Sequence, residues 1–165
     1  MKLLFTRKTW YFLLIAAAAL SLVNACSALG GMNFSFLDTI AFGVTGLACL
    51  FLAAEKGSTG AQRGAYFAAF AALLVSYLLF GYAGATRLTL AWLLLLWQEQ
   101  RSGRPLQAQL RLVLFTEIVH AAVFVAGNAG LAAFSFWAQV LWVLLCAARA
   151  WAALVLYRTC GQNDN

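Results

Sequence analysis

The sequence predicts an all-α integral membrane protein: a single domain over residues 1–165 that forms a six-transmembrane-helix bundle built from three helical hairpins. Composition is the first reason, because 64% of the 165 residues are hydrophobic and 10% are charged, which is too apolar for a water-soluble domain. The second is that apolar runs of about 20 residues, enough to cross a hydrocarbon core of roughly 30 Å, recur along the chain. The third is the placement of Lys and Arg, which sets the number of crossings.

The apolar runs and the breaks between them define the elements in order. The first two runs are long enough to cross, and Gly30 and Gly31 between them suit a tight turn. A cytoplasmic polar link over 55–64 precedes the third run, a second link over 99–109 follows the fourth, and GNAG at 127–130 joins the last two. The predicted helices cover 9–29, 34–54, 65–81, 84–98, 110–126 and 131–157.

The fourth helix depends on charge placement, because the apolar run at 88–97 would span only about 15 Å as a helix. If it crosses, nearly all Lys and Arg outside the apolar runs lie on the cytoplasmic side, with Arg87 the exception. If it does not, Arg101, Arg104 and Arg111 lie outside, against the positive-inside rule. The sequence therefore predicts six crossings, with the N-terminus and C-terminus cytoplasmic, in a multi-pass protein of the cell inner membrane.

Small and polar residues within the apolar runs indicate where helices meet. Small residues at four-residue spacing allow close approach, so we expect such lines to pack inside the bundle, with docking to a partner subunit as the alternative. Asn24, Thr45 and Gln139 are predicted to make polar contacts between helices. The lines are Ala17, Ser21 and Ala25 on the first helix, Ala41, Thr45 and Cys49 on the second, and Ala68, Ala72 and Ser76 on the third.

Two charged residues lie deep inside the last two apolar runs. Glu117 lies about 10 Å from the inner end of the fifth helix, and Arg149 about 12 Å from that of the sixth. Because these helices are consecutive and antiparallel, the matched depth predicts that the two side chains pair. His120 follows Glu117 by one turn and Asn128 continues the same face, which we expect to point into the bundle. Asp38 is predicted to cap the second helix.

Three interpretations of this face are open. It is a structural staple with His120 hydrogen-bonded nearby, a ligand or proton site formed by Glu117, His120, Arg149 and Asn128, or a catalytic or metal site. Glu-x-x-His occurs in di-iron bundles, but those need two such motifs and two further glutamates, and this chain has one His and five acidic residues. No metal, cofactor or catalytic residue is therefore predicted.

The predicted function follows from the intramembrane charges, because ionisable groups in the membrane are functional candidates by default. The leading interpretation is a small polytopic inner-membrane protein that acts as a transport or solute-binding subunit, with other membrane subunits or further copies of itself as partners. A non-catalytic structural or assembly subunit is the alternative. A membrane-embedded enzyme acting on a lipid or quinone is third, and a non-enzyme is favoured. The scattered Lys and Arg form no basic stripe, so no nucleic-acid partner is predicted.

Overall fold

The computed structural model describes residues 6–55 and 58–160, without the side chains of 82–85 and 132–133. All regular secondary structure in these residues is helical, which confirms the predicted class. The helices are α1 (Arg7–Leu29), α2 (Ser35–Ala54), α3 (Gly60–Arg87), α4 (Ala91–Arg101), α5 (Gln107–Asn128) and α6 (Ala132–Cys160).

Five helical segments of the described chain are long and apolar enough to cross a membrane, so the chain is a membrane protein. Large apolar side chains on their outer faces are exposed, among them Leu78 and Phe115, as expected where lipid is the solvent. The five segments are Arg7–Leu29, Ser35–Ala54, Gly60–Gly81, Gln107–Asn128 and Phe134–Cys160.

The helices follow one another around the bundle. Each packs against the next in the chain, and α6 closes the ring against α1. The interior is lined by buried large side chains together with alanines that let the helices approach closely. The largest of the fully buried side chains include Trp142, Tyr11, Tyr66, Leu14, Leu52 and Leu95.

The predicted small-residue faces are present on α1 and α2, where all six residues of the two lines are buried. The line predicted for α3 is wrong, because Ala68 is exposed and Ala72 is only partly buried. The buried face of α3 is rotated so that Tyr66 points inward, where its hydroxyl reaches a buried carboxylate of α4. That face consists of Tyr66, Ala69, Leu73 and Ser76.

The fourth segment differs most from the prediction, because no continuous helix covers 84–98. The helix α3 extends to Arg87 but bends at Gly81, whose φ of 69° favours glycine. Residues 88–90 are not helical, and α4 begins only at Ala91. With 11 residues α4 is about 16 Å long, which is too short to cross by itself. It continues to Arg101, so the predicted polar link over 99–109 begins inside a helix.

Candidate functional site

The centre of the site is an ion pair between α5 and α6. The Nη2 atom of Arg149 donates a hydrogen bond of 2.9 Å to Oε1 of Glu117. The side chains are 3% and 7% exposed, so both charges lie inside the protein. An isolated charge at this depth costs a few kcal/mol, and pairing offsets that cost for both partners. The pairing predicted from matched depth is present.

This pair lies against the interruption between α3 and α4. The Nη1 atom of Arg149 donates a short hydrogen bond to the backbone carbonyl of Thr86, in the last turn of α3, where carbonyls lack helical partners. The Glu117 carboxylate faces the backbone N–H of Thr89, just before α4 begins. The cation therefore meets the carbonyl end of one helical piece and the anion meets the N–H end of the next, which matches the polarity of helix ends.

A small cavity lies beside Arg149 and has a volume of about 10 Å³, which is room for roughly one water molecule. It is lined by residues of α1, α2, α3, α4 and α6 together with the interruption. The Nε atom of Arg149 has no hydrogen-bond partner among the described residues, so a residue of the cavity wall keeps one unused guanidinium donor. The other polar residues of the wall are Ser21, Thr45, Thr86, Thr89 and Cys146.

His120 and Asn128 have different places in the structure. His120 is fully buried one turn from Glu117, and its ring packs at 5.9 Å, between centroids, from that of Phe124. Neither ring nitrogen has a hydrogen-bond partner among the described residues, so the predicted hydrogen bond of His120 is not formed there. Asn128 is exposed at the end of α5 and is not brought to the site. Asn128 follows His120 by eight residues, which is about 12 Å along the helix, so it lies beyond the buried part of the bundle.

A second buried polar unit joins α1, α2 and the end of α3. Asn24 donates to Oδ2 of Asp38 at 2.9 Å and accepts from the backbone N–H of Phe34 at 2.8 Å. The guanidinium of Arg87 lies 3.6 Å from the centroid of the Trp142 ring and close enough to Asp38 for their charges to attract. Asn24 thus makes the interhelical contact that was predicted, whereas Asp38 is bonded to α1 rather than capping α2.

A third unit surrounds Glu99, which is fully buried near the end of α4. The hydroxyl of Tyr66 donates to Oε1 of Glu99 at 2.6 Å, and Nε of Arg104 donates to Oε2 at 2.9 Å. The Nη1 atom of Arg104 donates a hydrogen bond of 3.3 Å to the hydroxyl of Thr159, and its guanidinium lies 5.1 Å from the centroid of the Tyr11 ring. Burial lowers the pKa of Arg104, but Tyr11 and Glu99 raise it more, so the net shift is upward. These contacts connect the start of α1 and the start of α3 to the end of α4 and the end of α6.

Glu99 and Arg104 were missed because residues 99–109 were predicted to be a cytoplasmic polar link. A signal was present, since Trp92, Leu95, Leu96 and Glu99 share one helical face and all four are buried. A carboxylate at the end of the apolar face of α4, as Glu99 is, indicates a residue that is buried with a polar partner inside the bundle.

Two of the predicted interhelical contacts are absent among the described residues. The hydroxyl of Thr45 donates to the carbonyl of Ala41 on its own helix at 2.8 Å, although the residue lines the cavity. The Oε1 atom of Gln139 is buried and has no hydrogen-bond partner there. A hydroxyl in a helix reaches its own preceding turn more readily than a neighbouring helix, which explains the behaviour of Thr45.

No model of a known protein family matches the chain, and no match is found among curated proteins or among solved structures. Within residues 6–55 and 58–160, no three His, Cys, Asp or Glu side chains are grouped as a metal site would require. The fold and the site therefore define a class, a helical membrane protein with three buried carboxylate–arginine units around an interrupted segment.

Proposed function

We propose that the protein is a transport or solute-binding subunit and that its binding site is the cavity beside Arg149. The observation that carries this proposal is the interruption at 88–90, which lies against a buried ion pair and borders a cavity. Non-helical backbone is tolerated at membrane depth where it is buried in protein or lines a cavity. In secondary transporters such interrupted helices supply the backbone groups that bind substrates and coupling ions near the membrane midplane.

The proposal includes six crossings, the fourth of which is interrupted. Residues 82–101 together correspond to about 30 Å of helix, the thickness of the hydrocarbon core. The bond between Tyr66 and Glu99 joins the start of α3 to the end of α4, which supports a chain that leaves this end of the bundle and returns to it. The same end carries Arg7, Lys8, Arg63, Arg101, Arg104, Arg111 and Arg158, so the positive-inside rule favours a cytoplasmic position for it and for both termini.

The interruption at 88–90 leaves backbone groups without helical partners, which costs free energy inside a membrane. An uninterrupted Leu-rich helix over 88–97 would satisfy its own backbone and would need no charged partners in the membrane. The chain instead buries Arg149 and Glu117 against the broken ends. A site that must bind a polar solute accounts for both the backbone groups without helical partners and the buried charges beside them.

The first test is native mass spectrometry of the protein extracted gently from its own membrane, with Ala17→Leu and Ala19→Leu as a matched pair. Ala17 lines the cavity, whereas Ala19 is exposed on the same helix. We expect a small molecule or ion with the wild type and with Ala19→Leu, and its loss from Ala17→Leu. Size-exclusion profiles establish that each variant is folded, and the smaller Ala17→Val serves if the leucine disrupts the bundle. A wild type without any bound solute, or an Ala17→Leu protein that retains it, would contradict the proposal.

A structural or assembly subunit is the second candidate, and one observation favours it. Each buried carboxylate has its own arginine, so the three units are balanced in charge and suit the fixing of helix positions. This candidate predicts companion chains and no small solute in the same spectrum. A membrane enzyme is favoured less, because the polar unit at the bundle end encloses Glu99 instead of opening it to lipid headgroups. The inner-membrane location and the identity of partner subunits stay predictions.

A further inference from the structure

We propose that the cavity beside Arg149 binds a small monovalent anion together with one proton, which is taken up by Glu117. The inference rests on the proposed function and names the class of solute. Three features of the site carry it: an unused guanidinium donor, the size of the cavity, and the charge balance of the buried groups.

The donor is the Nε atom of Arg149. Nη2 of this side chain bonds Glu117 and Nη1 bonds the carbonyl of Thr86, while Nε has no partner among the described residues and the side chain lines the cavity. The bond to Thr86 holds the guanidinium in place on one side. Arg149 can therefore exchange its anionic partner without leaving the site.

The cavity restricts the size and chemistry of the anion. A volume of about 10 Å³ admits a species of roughly the size of a water molecule or a little larger. The walls offer hydroxyl and thiol groups from Ser21, Thr89 and Cys146, which are hydrogen-bond donors and acceptors without charge, whereas the O–H of Thr45 already donates to the carbonyl of Ala41. A halide, or an anion of very few heavy atoms, fits this description, and a sugar, nucleotide or vitamin does not.

Charge balance explains why a proton must accompany the anion. Arg149 and Glu117 together are neutral, so an anion alone would leave a net negative charge in the membrane interior, at a cost of several kcal/mol. If a proton adds to the carboxylate of Glu117 as the anion enters, the product is a neutral acid beside an Arg149–anion pair. The sum of charges is unchanged, and the one covalent bond formed is O–H on Glu117.

The neighbouring groups identify Glu117 as the proton acceptor. His120 on α5 is close to both Arg149 and Arg87, Cys146 on α6 lines the cavity, and Asp38 on α2 is attracted to Arg87. Among the described residues, Glu117 is the acid hydrogen-bonded to Arg149. Its Oε2 atom has no hydrogen-bond partner there, so this oxygen is available for the proton.

The experiment uses chloride as the probe and measures two quantities on the full-length protein in detergent. Binding is followed by equilibrium dialysis of radioactive chloride, and proton uptake by a pH-sensitive dye in weakly buffered solution, with gluconate as an oversized anion. For the wild type we expect saturable uptake of about one proton per chloride bound, and an apparent Kd for chloride that weakens about tenfold per pH unit where Glu117 is ionised. Gluconate should produce neither signal.

Variants of the site distinguish chloride binding from proton uptake. Glu117→Gln should bind chloride at all pH values without taking up a proton, because its neutral side chain imitates the protonated acid. Arg149→Met and the cavity-filling Ala17→Leu should bind no chloride. Glu55→Gln is the matched control, since Glu55 pairs with Arg7 at the bundle end and is 28% exposed. It should behave as the wild type.

Several outcomes would overturn the inference: no chloride binding by the wild type, binding without proton uptake, or proton uptake that persists in Glu117→Gln. These failures are distinct from failure of the proposed function. If the mass spectrum showed a different solute that is bound by the wild type and lost from Ala17→Leu, the proposed binding function would stand and the anion would be rejected as its solute. An empty cavity in both experiments would reject both.

Discussion

Exchange of the two central charges, by Glu117→Arg combined with Arg149→Glu, should not restore stability. A pair that interacted only with each other would tolerate the exchange. In this structure each partner also faces a backbone group of fixed polarity, the carbonyl of Thr86 for the cation and the N–H of Thr89 for the anion. The exchange would place a carboxylate against a carbonyl oxygen and a guanidinium against an N–H group.

The expected magnitudes follow from these contacts. Arg149→Met removes two hydrogen bonds from a charged donor and leaves Glu117 without its counter-ion, so we expect a loss of about 3–5 kcal/mol in the free energy of unfolding. Glu117→Gln keeps an acceptor for Nη2 and should cost about 1.5–3 kcal/mol. The exchanged protein should lie within about 1 kcal/mol of Arg149→Met, because the regained attraction is offset by the two mismatched backbone contacts.

Unfolding of the purified protein by SDS in mixed micelles, followed by tryptophan fluorescence, measures these free energies. Arg158→Met is the matched control, because Arg158 is exposed near the end of the same helix, and it should change stability by less than about 0.5 kcal/mol. Recovery of wild-type stability in the exchanged protein would contradict this prediction. It would mean that the contacts to Thr86 and Thr89 contribute nothing to holding the interruption.

Three further predictions use the same unfolding assay. Tyr66→Phe should cost about 1.5–3 kcal/mol, because it removes a 2.6 Å bond to a buried carboxylate, whereas Tyr157→Phe at a partly exposed position should have little effect. Gly81→Ala should cost about 1–3 kcal/mol, because its φ of 69° and ψ of −173° lie in a region that is essentially restricted to glycine, and Gly43→Ala within α2 should be neutral or stabilising; equal effects would argue against the bend. Arg104→Met should destabilise equally at pH 6 and pH 9. Because the pKa of Arg104 is raised, its contribution is complete below the unfolded-state value and is lost only as the pH rises through the folded-state value, beyond this range; a loss confined to one pH would contradict that.

Much of the fold could be predicted because a bilayer allows few solutions for a long apolar run. The structure has α1, α2, α5 and α6 within a few residues of the predicted bounds. The central pair could be predicted for the same reason, since the depth of Glu117 and of Arg149 is fixed by their distance along antiparallel helices. Contacts that depend on depth alone are therefore accessible from sequence.

The interruption could not be predicted, because its cause lies elsewhere in the chain. Residues 88–97 are rich in leucine, a strong helix former, and the local signal at 88–90 is a single threonine, Thr89, whose hydroxyl accepts from the backbone N–H of Ala91 at the start of α4. One such residue does not distinguish an interruption from a continuous helix. The groups that bind the broken ends, Arg149 and Glu117, come from α5 and α6. A local pattern carries no information about a partner that meets it only after folding.

The rotation of α3 shows a second limit. Small residues mark faces where helices approach closely, but α3 faces inward with Tyr66, whose ring is large. The hydroxyl of Tyr66 donates to Glu99 on α4, a partner that residue size on α3 does not reveal. The inward face of a helix cannot be predicted from residue size alone where one of its side chains has a buried polar partner.

The proposed function depends on an interrupted fourth segment that crosses the membrane and is held there by buried ion pairs. Labelling of single cysteines with a membrane-impermeant maleimide in intact and permeabilised cells tests it most directly, at the exposed positions Met32, Ala61, Gln107 and Ala129. We predict that Ala61→Cys and Gln107→Cys label from the cytoplasmic side, and that Met32→Cys and Ala129→Cys label from the opposite side. Labelling of Gln107→Cys on the same side as Met32→Cys would show that residues 82–101 do not cross, and would contradict the proposed six crossings.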